Sequence, residues 1–322
     1  MITRAPRRTR VIVIGCALAL LFAVPIVAAS GLGHARATAG AQQRLAGPIA
    51  MAPVAQSAAE PGRGSQSAPA PPASPRREVA RAVVAAAEGA AAGTTELAVA
   101  VLDRETGELA LGARGAEPYY TASLSKVVVA VDILDRRRLE GLAVADPDIA
   151  LLRRSLGPSD DGAMNTLWSR FDGVGAVGRV SSRLGLSGTA APRDPSQWGE
   201  VSVPAADTVK IWQHILDEMP PADRDLLVSA MDAAPPQAAD GFNQAYGLLA
   251  PAVDGPGAPG AVAKQGWMCC FAGKYYMHST GAVGPDRRFV VALLTRVPRA
   301  PGWEVSRQEL TRIATAATQA MA

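Results

Sequence analysis

Thr121-Ala122-Ser123-Leu124-Ser125-Lys126, followed by the apolar run Val127-Val128-Val129-Ala130-Val131, decides how this chain is read. The spacing puts Ser123 and Lys126 on one face of a starting helix, where an amine can reach a hydroxyl. A serine becomes a useful nucleophile when a neighbour takes its proton, and a desolvated lysine can serve as that base. Backbone N–H groups at a helix start can stabilise a developing oxyanion. The apolar residues that follow point to every side of the helix, which predicts a buried central helix.

Outward from this helix the pattern is mixed. A helix is expected from Ser74-Pro75 to about Ala92, then strands over 97–102 and 108–111 joined by a turn at Asp103 to Gly107. Residues 141 to about 250 read as mainly helical, with breaks at Pro147, Gly157-Pro158, Gly173 to Gly175 and Pro220-Pro221. A Gly/Pro-rich loop over 254–260 precedes three strands at 262–270, 274–283 and 288–297, and a helix over 305–320 closes the chain. This order predicts an α+β fold: an antiparallel five-stranded sheet flanked by helices, beside a mostly helical lobe.

Two further motifs lie where the serine needs partners. Ser159-Asp160-Asp161 sits in a short loop and leads into Gly162-Ala163-Met164-Asn165, while Lys264-Gln265-Gly266 opens the late strands ahead of Trp267. Taken with Ser123-x-x-Lys126, these resemble the ordered triple signature of the serine β-lactamase and penicillin-binding protein superfamily, closest to class A β-lactamase-like proteins. The resemblance covers about residues 76–322. It implies that Ser123 attacks an amide or lactam carbonyl, Lys126 accepts its proton and Ser159 passes a proton to the leaving nitrogen. Lys264 would hold the field at Ser159 and help bind a substrate carboxylate. The N–H groups of Ser123 and Trp267 would form the oxyanion hole. Asn165 matches a structural asparagine of class A enzymes, and Lys274 is a candidate anchor for a substrate carboxylate.

The departures carry equal weight. Asp161 replaces an asparagine that would donate to the substrate; an ionised carboxylate cannot donate, and near Lys126 it favours the ammonium over the base. Gln265 replaces a hydroxyl residue that would bind the substrate carboxylate. The stretch from Ser123 to Ser159 is shorter than in typical class A enzymes, which implies that one wall of the cleft is missing. Before Val203-Pro204-Ala205-Ala206, where the family carries its deacylating glutamate, the only acids after Leu186 are Asp194 and Glu200. Glu200 better matches an acid that closes the neck of that loop through a salt bridge to Arg193, and Asp194 reads as surface solvation. Slow deacylation is therefore expected.

Positive charge is confined to the start of the chain. Residues 1–77 hold nine Lys/Arg against one acid, whereas the remainder holds 23 Lys/Arg against 28 Asp/Glu. The basic overall balance thus belongs to a targeting end and gives no argument for nucleic acid. Arg4, Arg7, Arg8 and Arg10 precede nineteen apolar residues, Val11 to Ala29, an export signal that is either cleaved or kept as a membrane anchor. Cys16 lies inside that run and reads as membrane filler rather than a lipid-modified residue. Three divisions follow: 1–37 signal peptide or anchor, 38–75 a disordered Ala/Pro/Ser-rich linker, and 76–322 the hydrolase domain.

His34, His214 and His278 are far apart and no Cys/His spacing calls for a metal, so neither metal nor cofactor is expected. Cys269-Cys270 leaves a vicinal disulfide and two free thiols equally open. No G-x-S-x-G elbow supports a conventional triad. The expected partners are β-lactams or D-alanyl cell-wall peptides, met outside the cytoplasm. The competing reading is a catalytically impaired protein that uses the fold for binding.

Overall fold

The computed structural model describes residues 78–251 and 260–322. The export signal, the linker, Cys16, His34 and the cap at Ser74-Pro75 lie outside the described residues. Among the described residues there are eight α-helices and a five-stranded antiparallel sheet.

Helix α1 (Val79–Ala90) leads to strands β1 (Glu96–Asp103) and β2 (Glu108–Leu111). A short strand β3 (Tyr119–Tyr120) and a 3₁₀ turn (Ala122–Leu124) precede α2 (Ser125–Glu140). The helical lobe continues with α3 (Asp146–Leu156), α4 (Asp161–Arg170) and α5 (Gly173–Leu184). Next come β4 (Ser202–Val203), α6 (Ala205–Gln213) and α7 (Pro221–Asp232). Strands β5 (Val262–Phe271), β6 (Lys274–Val283) and β7 (Phe289–Pro298) and helix α8 (Gly302–Gln319) complete the fold. The sheet order is β2-β1-β7-β6-β5.

The sheet is a middle layer, and that explains its nearly continuous apolar strands. Alternate side chains of a strand face opposite ways. Ala98, Ala100 and Leu102 of β1 join the core around α2, while Leu97, Val99 and Val101 join the core under α1 and α8. Strand β7 divides in the same manner, with Val290, Ala292 and Leu294 towards α2 and Val291 and Leu293 towards α8. As the all-round apolar pattern predicted, α2 is buried from Ser125 to Asp135. It stops at Gly141, whose φ of 70° supplies the left-handed residue that closes many helices.

Pro147 and Pro221 fall in the first turns of α3 and α7, so they start helices, as proline can where no N–H partner is required. The pair β3–β4 had no signal in the sequence: two residues each, Tyr119 opposite Val203 and Tyr120 opposite Ser202. It ties the chain before Ser123 to the segment before α6. Buried His278 strengthens that tie, since its Nε2 lies 2.8 Å from the Tyr120 carbonyl and its Nδ1 accepts from Thr295 N–H at 3.2 Å. Burial lowers the His278 pKa to about 4, so the ring is neutral at ordinary pH.

Cys269 and Cys270 are joined as a vicinal disulfide across a cis peptide, with their Cα atoms 3.0 Å apart. His214 bridges two acids, Asp135 at 3.0 Å and Glu218 at 2.7 Å, inside the helical lobe. No helix among the described residues is long and apolar enough to cross a membrane.

Candidate active site

The three motifs converge on one chain of polar contacts. Lys126 Nζ lies 2.9 Å from Ser123 Oγ, 3.2 Å from Ser159 Oγ, 2.7 Å from the Ser159 carbonyl and 2.6 Å from Asp161 Oδ1. From the far side, Lys264 Nζ donates to Ser159 Oγ at 2.9 Å and to the Gln265 carbonyl at 2.8 Å. Ser123, Lys126, Ser159 and Lys264 are all buried. A proton can thus pass between Ser123 and Ser159 through one amine.

Each participant is held by its own local structure. Ser123 occupies the 3₁₀ turn, one turn ahead of Lys126, and its neighbour Ala122 has φ 46°. Ser159 has φ 56° in the loop between α3 and α4. Residues without glycine's freedom persist in this region only where the surroundings hold them, and such residues concentrate at functional sites. The Ser159 loop is held by Ala239 N–H donating to the Pro158 carbonyl at 2.7 Å and by Gln244 Nε2 donating to the Gly157 carbonyl at 3.1 Å. Asp160 caps α4, accepting from Ala163 N–H at 3.1 Å, which sets Asp161 at the first position of that helix.

Gly266 lets β5 approach the turn that carries Ser123. A Cβ there would lie 2.8 Å from the Thr121 carbonyl oxygen, a backbone atom that cannot rotate away. Gly266→Ala is expected to slow acylation of Ser123 by about a hundredfold, because a displacement near 1 Å is enough to lose that much. A labelling time course checks this; an unchanged rate would show that the turn has room to give.

Burial dominates the electrostatics. It lowers the Lys126 pKa, and Asp161 opposes that shift without reversing it. The sequence argument that Asp161 favours the ammonium therefore has the right sign and the smaller weight. Burial drives the Lys264 amine well below the usual lysine range, helped by the charge of Lys126. The neutral form of Lys126 grows as pH rises, so with Lys126 as the base acylation of Ser123 is expected to rise with pH. Asp161→Asn removes the opposing carboxylate and is expected to move the midpoint of that rise to lower pH. A pH profile of Ser123 labelling measures it, and a midpoint that stays or rises contradicts the assignment of Lys126 as the base.

The site opens into a cleft of about 380 Å³ lined by Ser123, Asp161, Asn165, Trp198, Asp240 and Trp267, together with Ala122, Ser196, Gln197, Gly199 and Met268. Two residues expected at a substrate carboxylate are elsewhere. Gln265 is fully buried and turned from the cleft, its Nε2 donating to the backbone carbonyls of Gln244 and Tyr246. Strand alternation beside Lys264 accounts for that orientation. Lys274 is paired with Glu96 and does not line the cleft.

The acids weighed for deacylation are also outside the lining. Asp194 is exposed and accepts from Ser196 N–H at 2.9 Å and Ser196 Oγ at 2.8 Å. No ion pair joins Glu200 to Arg193 among the described residues. What the segment does contribute is Trp198, whose ring centroid is 4.9 Å from Lys126 Nζ and whose Nε1 donates to Asn165 Oδ1 at 2.8 Å. Sequence reasoning searched this segment for acids and passed over the indole. It also missed Asp240, which lies far from every motif in the chain. Among the described residues no group of His, Cys, Asp and Glu side chains could hold a metal ion.

Solved structures share this architecture. PBP-A superposes with a TM-score of 0.60 at 16% identity, over 78% of this chain and 98% of that one. The TLA-1 extended-spectrum β-lactamase gives 0.62 at 14% identity, over 75% and 99%. A β-lactamase from Chitinophaga pinensis gives 0.57 at 14%, over 76% and 97%. The chain therefore has the serine β-lactamase and penicillin-binding protein fold. Among curated proteins it is similar to "Putative lipoprotein LppW" of Mycobacterium tuberculosis and of Mycobacterium bovis, 35% identical over 214 residues. That alignment spans 66% of this chain and 66% of the relatives' own length, just under two-thirds of each. No protein-family model matches the chain.

Proposed function

We propose that this chain is an exported β-lactamase-like serine hydrolase that forms an acyl-serine with β-lactams or D-alanyl cell-wall peptides and releases it slowly. The observation that carries the reading is the buried Lys126 amine 2.9 Å from Ser123 Oγ, with Ser159 on its other side. Ser123 Oγ attacks the carbonyl carbon and its proton goes to Lys126. The tetrahedral intermediate collapses as the C–N bond breaks, and the leaving nitrogen takes a proton delivered through Ser159 Oγ. An ester on Ser123 remains.

Slow release follows from what faces that ester. Hydrolysis needs a base to activate water, and Asp161, the nearest carboxylate, is engaged by Lys126. The segment in which the resemblance implies a deacylating acid presents instead the indole of Trp198, 4.9 Å from Lys126 Nζ. A PBP-A mutant of the same fold has been solved as an acyl-enzyme complex with penicillin G, which supports an acyl-serine in this scaffold.

Residues 1–37 would direct export or anchor the chain, 38–75 would tether it, and 76–322 would carry the chemistry. The relatives' description as a lipoprotein supports retention at the membrane. A binding-only role is favoured by one observation: Gln265 leaves the cleft without the side chain expected to hold a substrate carboxylate.

The test is intact mass of the full chain after incubation with penicillin G or a D-alanyl thioester, beside Ser123→Ala. An adduct persisting for minutes on the wild type alone is expected. Rapid turnover without an adduct overturns slow release. Absence of both adduct and turnover overturns the acyl-serine reading and leaves the binding-only role.

A further inference from the structure

The Cys269–Cys270 disulfide has no part in the acyl-serine chemistry, yet it sits in the strand that borders the site. Strand β5 is the last strand of the sheet, so within the sheet only β6 holds it. Their pairing slips at this point: Met268 lies opposite Tyr276 and Phe271 opposite Lys274, three steps on β5 against two on β6. The extra residue makes a bulge, and the disulfide lies within it. Cys269 is exposed, whereas Cys270 is half-buried against the apolar core under α1 and α8.

Both flanks of the bulge touch the framework of the site. Met268, just before it, lines the cleft that Ser123 also lines. Phe271, just after it, packs on Tyr120 with ring centroids 4.8 Å apart. Both rings pack in turn on Tyr276, at 5.9 and 5.5 Å. Tyr120 stands three residues before Ser123, and its carbonyl is the one that His278 Nε2 meets at 2.8 Å. A change in the bulge therefore reaches the turn of Ser123 through Phe271 and the cleft wall through Met268.

We propose that Cys269–Cys270 is a thiol-exchange site, and that its reduction by a dithiol loosens the end of β5 and the turn before Ser123. A thiolate of the dithiol attacks the exposed Cys269 sulfur; the S–S bond breaks and its electron pair passes to Cys270. The dithiol's second thiolate then attacks its own sulfur in the mixed disulfide and frees Cys269. Two electrons have passed to the pair, the dithiol leaves as a cyclic disulfide, and its two protons end on the cysteine sulfurs. Slower acylation of Ser123 is the consequence under the acyl-serine reading; the loosening itself does not depend on that reading.

The test treats the full chain with dithiothreitol under native conditions, then with iodoacetamide, and locates the alkylated residues by peptide mass. Both Cys269 and Cys270 should be alkylated while circular dichroism is unchanged. Amide hydrogen exchange should lose protection over residues 268–272 and 119–123 but not over α5, and reoxidation should restore it. Penicillin G labelling of Ser123 should slow by about tenfold on reduction, less than a full 1 Å displacement costs. Cys269→Ser with Cys270→Ser should reproduce the reduced state and ignore dithiothreitol. Cysteines that resist alkylation, or unchanged exchange over 119–123 after alkylation, would overturn the proposal. So would an unchanged labelling rate, or a double variant that still responds to the dithiol. Changed exchange with no labelling in either redox state would instead sink the acyl-serine reading and leave the thiol-exchange site standing.

Discussion

Lys126→Met should slow acylation of Ser123 by about a thousandfold, the middle of the range for a lost general base. Methionine fills much of the lysine's apolar stem volume and contributes no amine. The two serines would then lose the group that links them, because Lys126 Nζ is within hydrogen-bond distance of both hydroxyls. Asp161 would lose its partner without being trapped, since its side chain is 58% exposed and can turn to water. The fold should survive, and circular dichroism would verify that before labelling rates are compared. A loss smaller than tenfold would mean that Lys126 is not the principal base.

The largest stability effect is expected away from the site, at Asp132. This residue is fully buried in α2, and Arg179 of α5 grips both its oxygens, at 2.9 and 2.8 Å. Breaking a buried ion pair from one side leaves a charge without its partner, at a cost of about 3 kcal/mol or more. Asp132→Ala should therefore lower the urea midpoint of the full chain by an amount equivalent to about 3 kcal/mol at unchanged slope. Arg179 keeps Asp172 at 2.8 Å, which places the expectation at the low end of that range. A change below about 1 kcal/mol, the ordinary scale of a surface pair, would show that Asp132 contributes no more than one. Asp135 is held similarly by Arg183 at 2.7 Å, so α2 is fastened to α5 at two points one helical turn apart. The helix that carries Lys126 is positioned by these pairs as well as by its apolar surface.

Much of the fold was legible because its signals are local. Strands β1, β2, β5, β6 and β7 were expected within one or two residues of their observed bounds, from apolar runs interrupted by turn residues. The contact between Ser123 and Lys126 follows from helix spacing alone. The short pair β3–β4 was not legible, since two residues carry no periodicity and their pairing depends on where α6 packs. Cys269-Cys270 was left open because adjacency in the chain does not decide whether two thiols are joined; the structure joins them.

The composition of the cleft shows where such reading stops. Gln265 adjoins Lys264 in the chain, yet one faces Gln244 and Tyr246 and the other faces Ser159. Trp198 and Asp240 belong to no motif; they reach the site because their loops are folded against α4 and β5. The sequence by itself determined the order of elements, the buried central helix and the serine-lysine pair, because each depends on residues within a helical turn or a strand's alternation. Only the tertiary structure decided that Lys126 is desolvated, that an indole stands beside it, and that the cleft is lined by carboxylates. Those properties arise from groups brought close across tens to more than a hundred residues, and distance in the chain carries no information about distance in space.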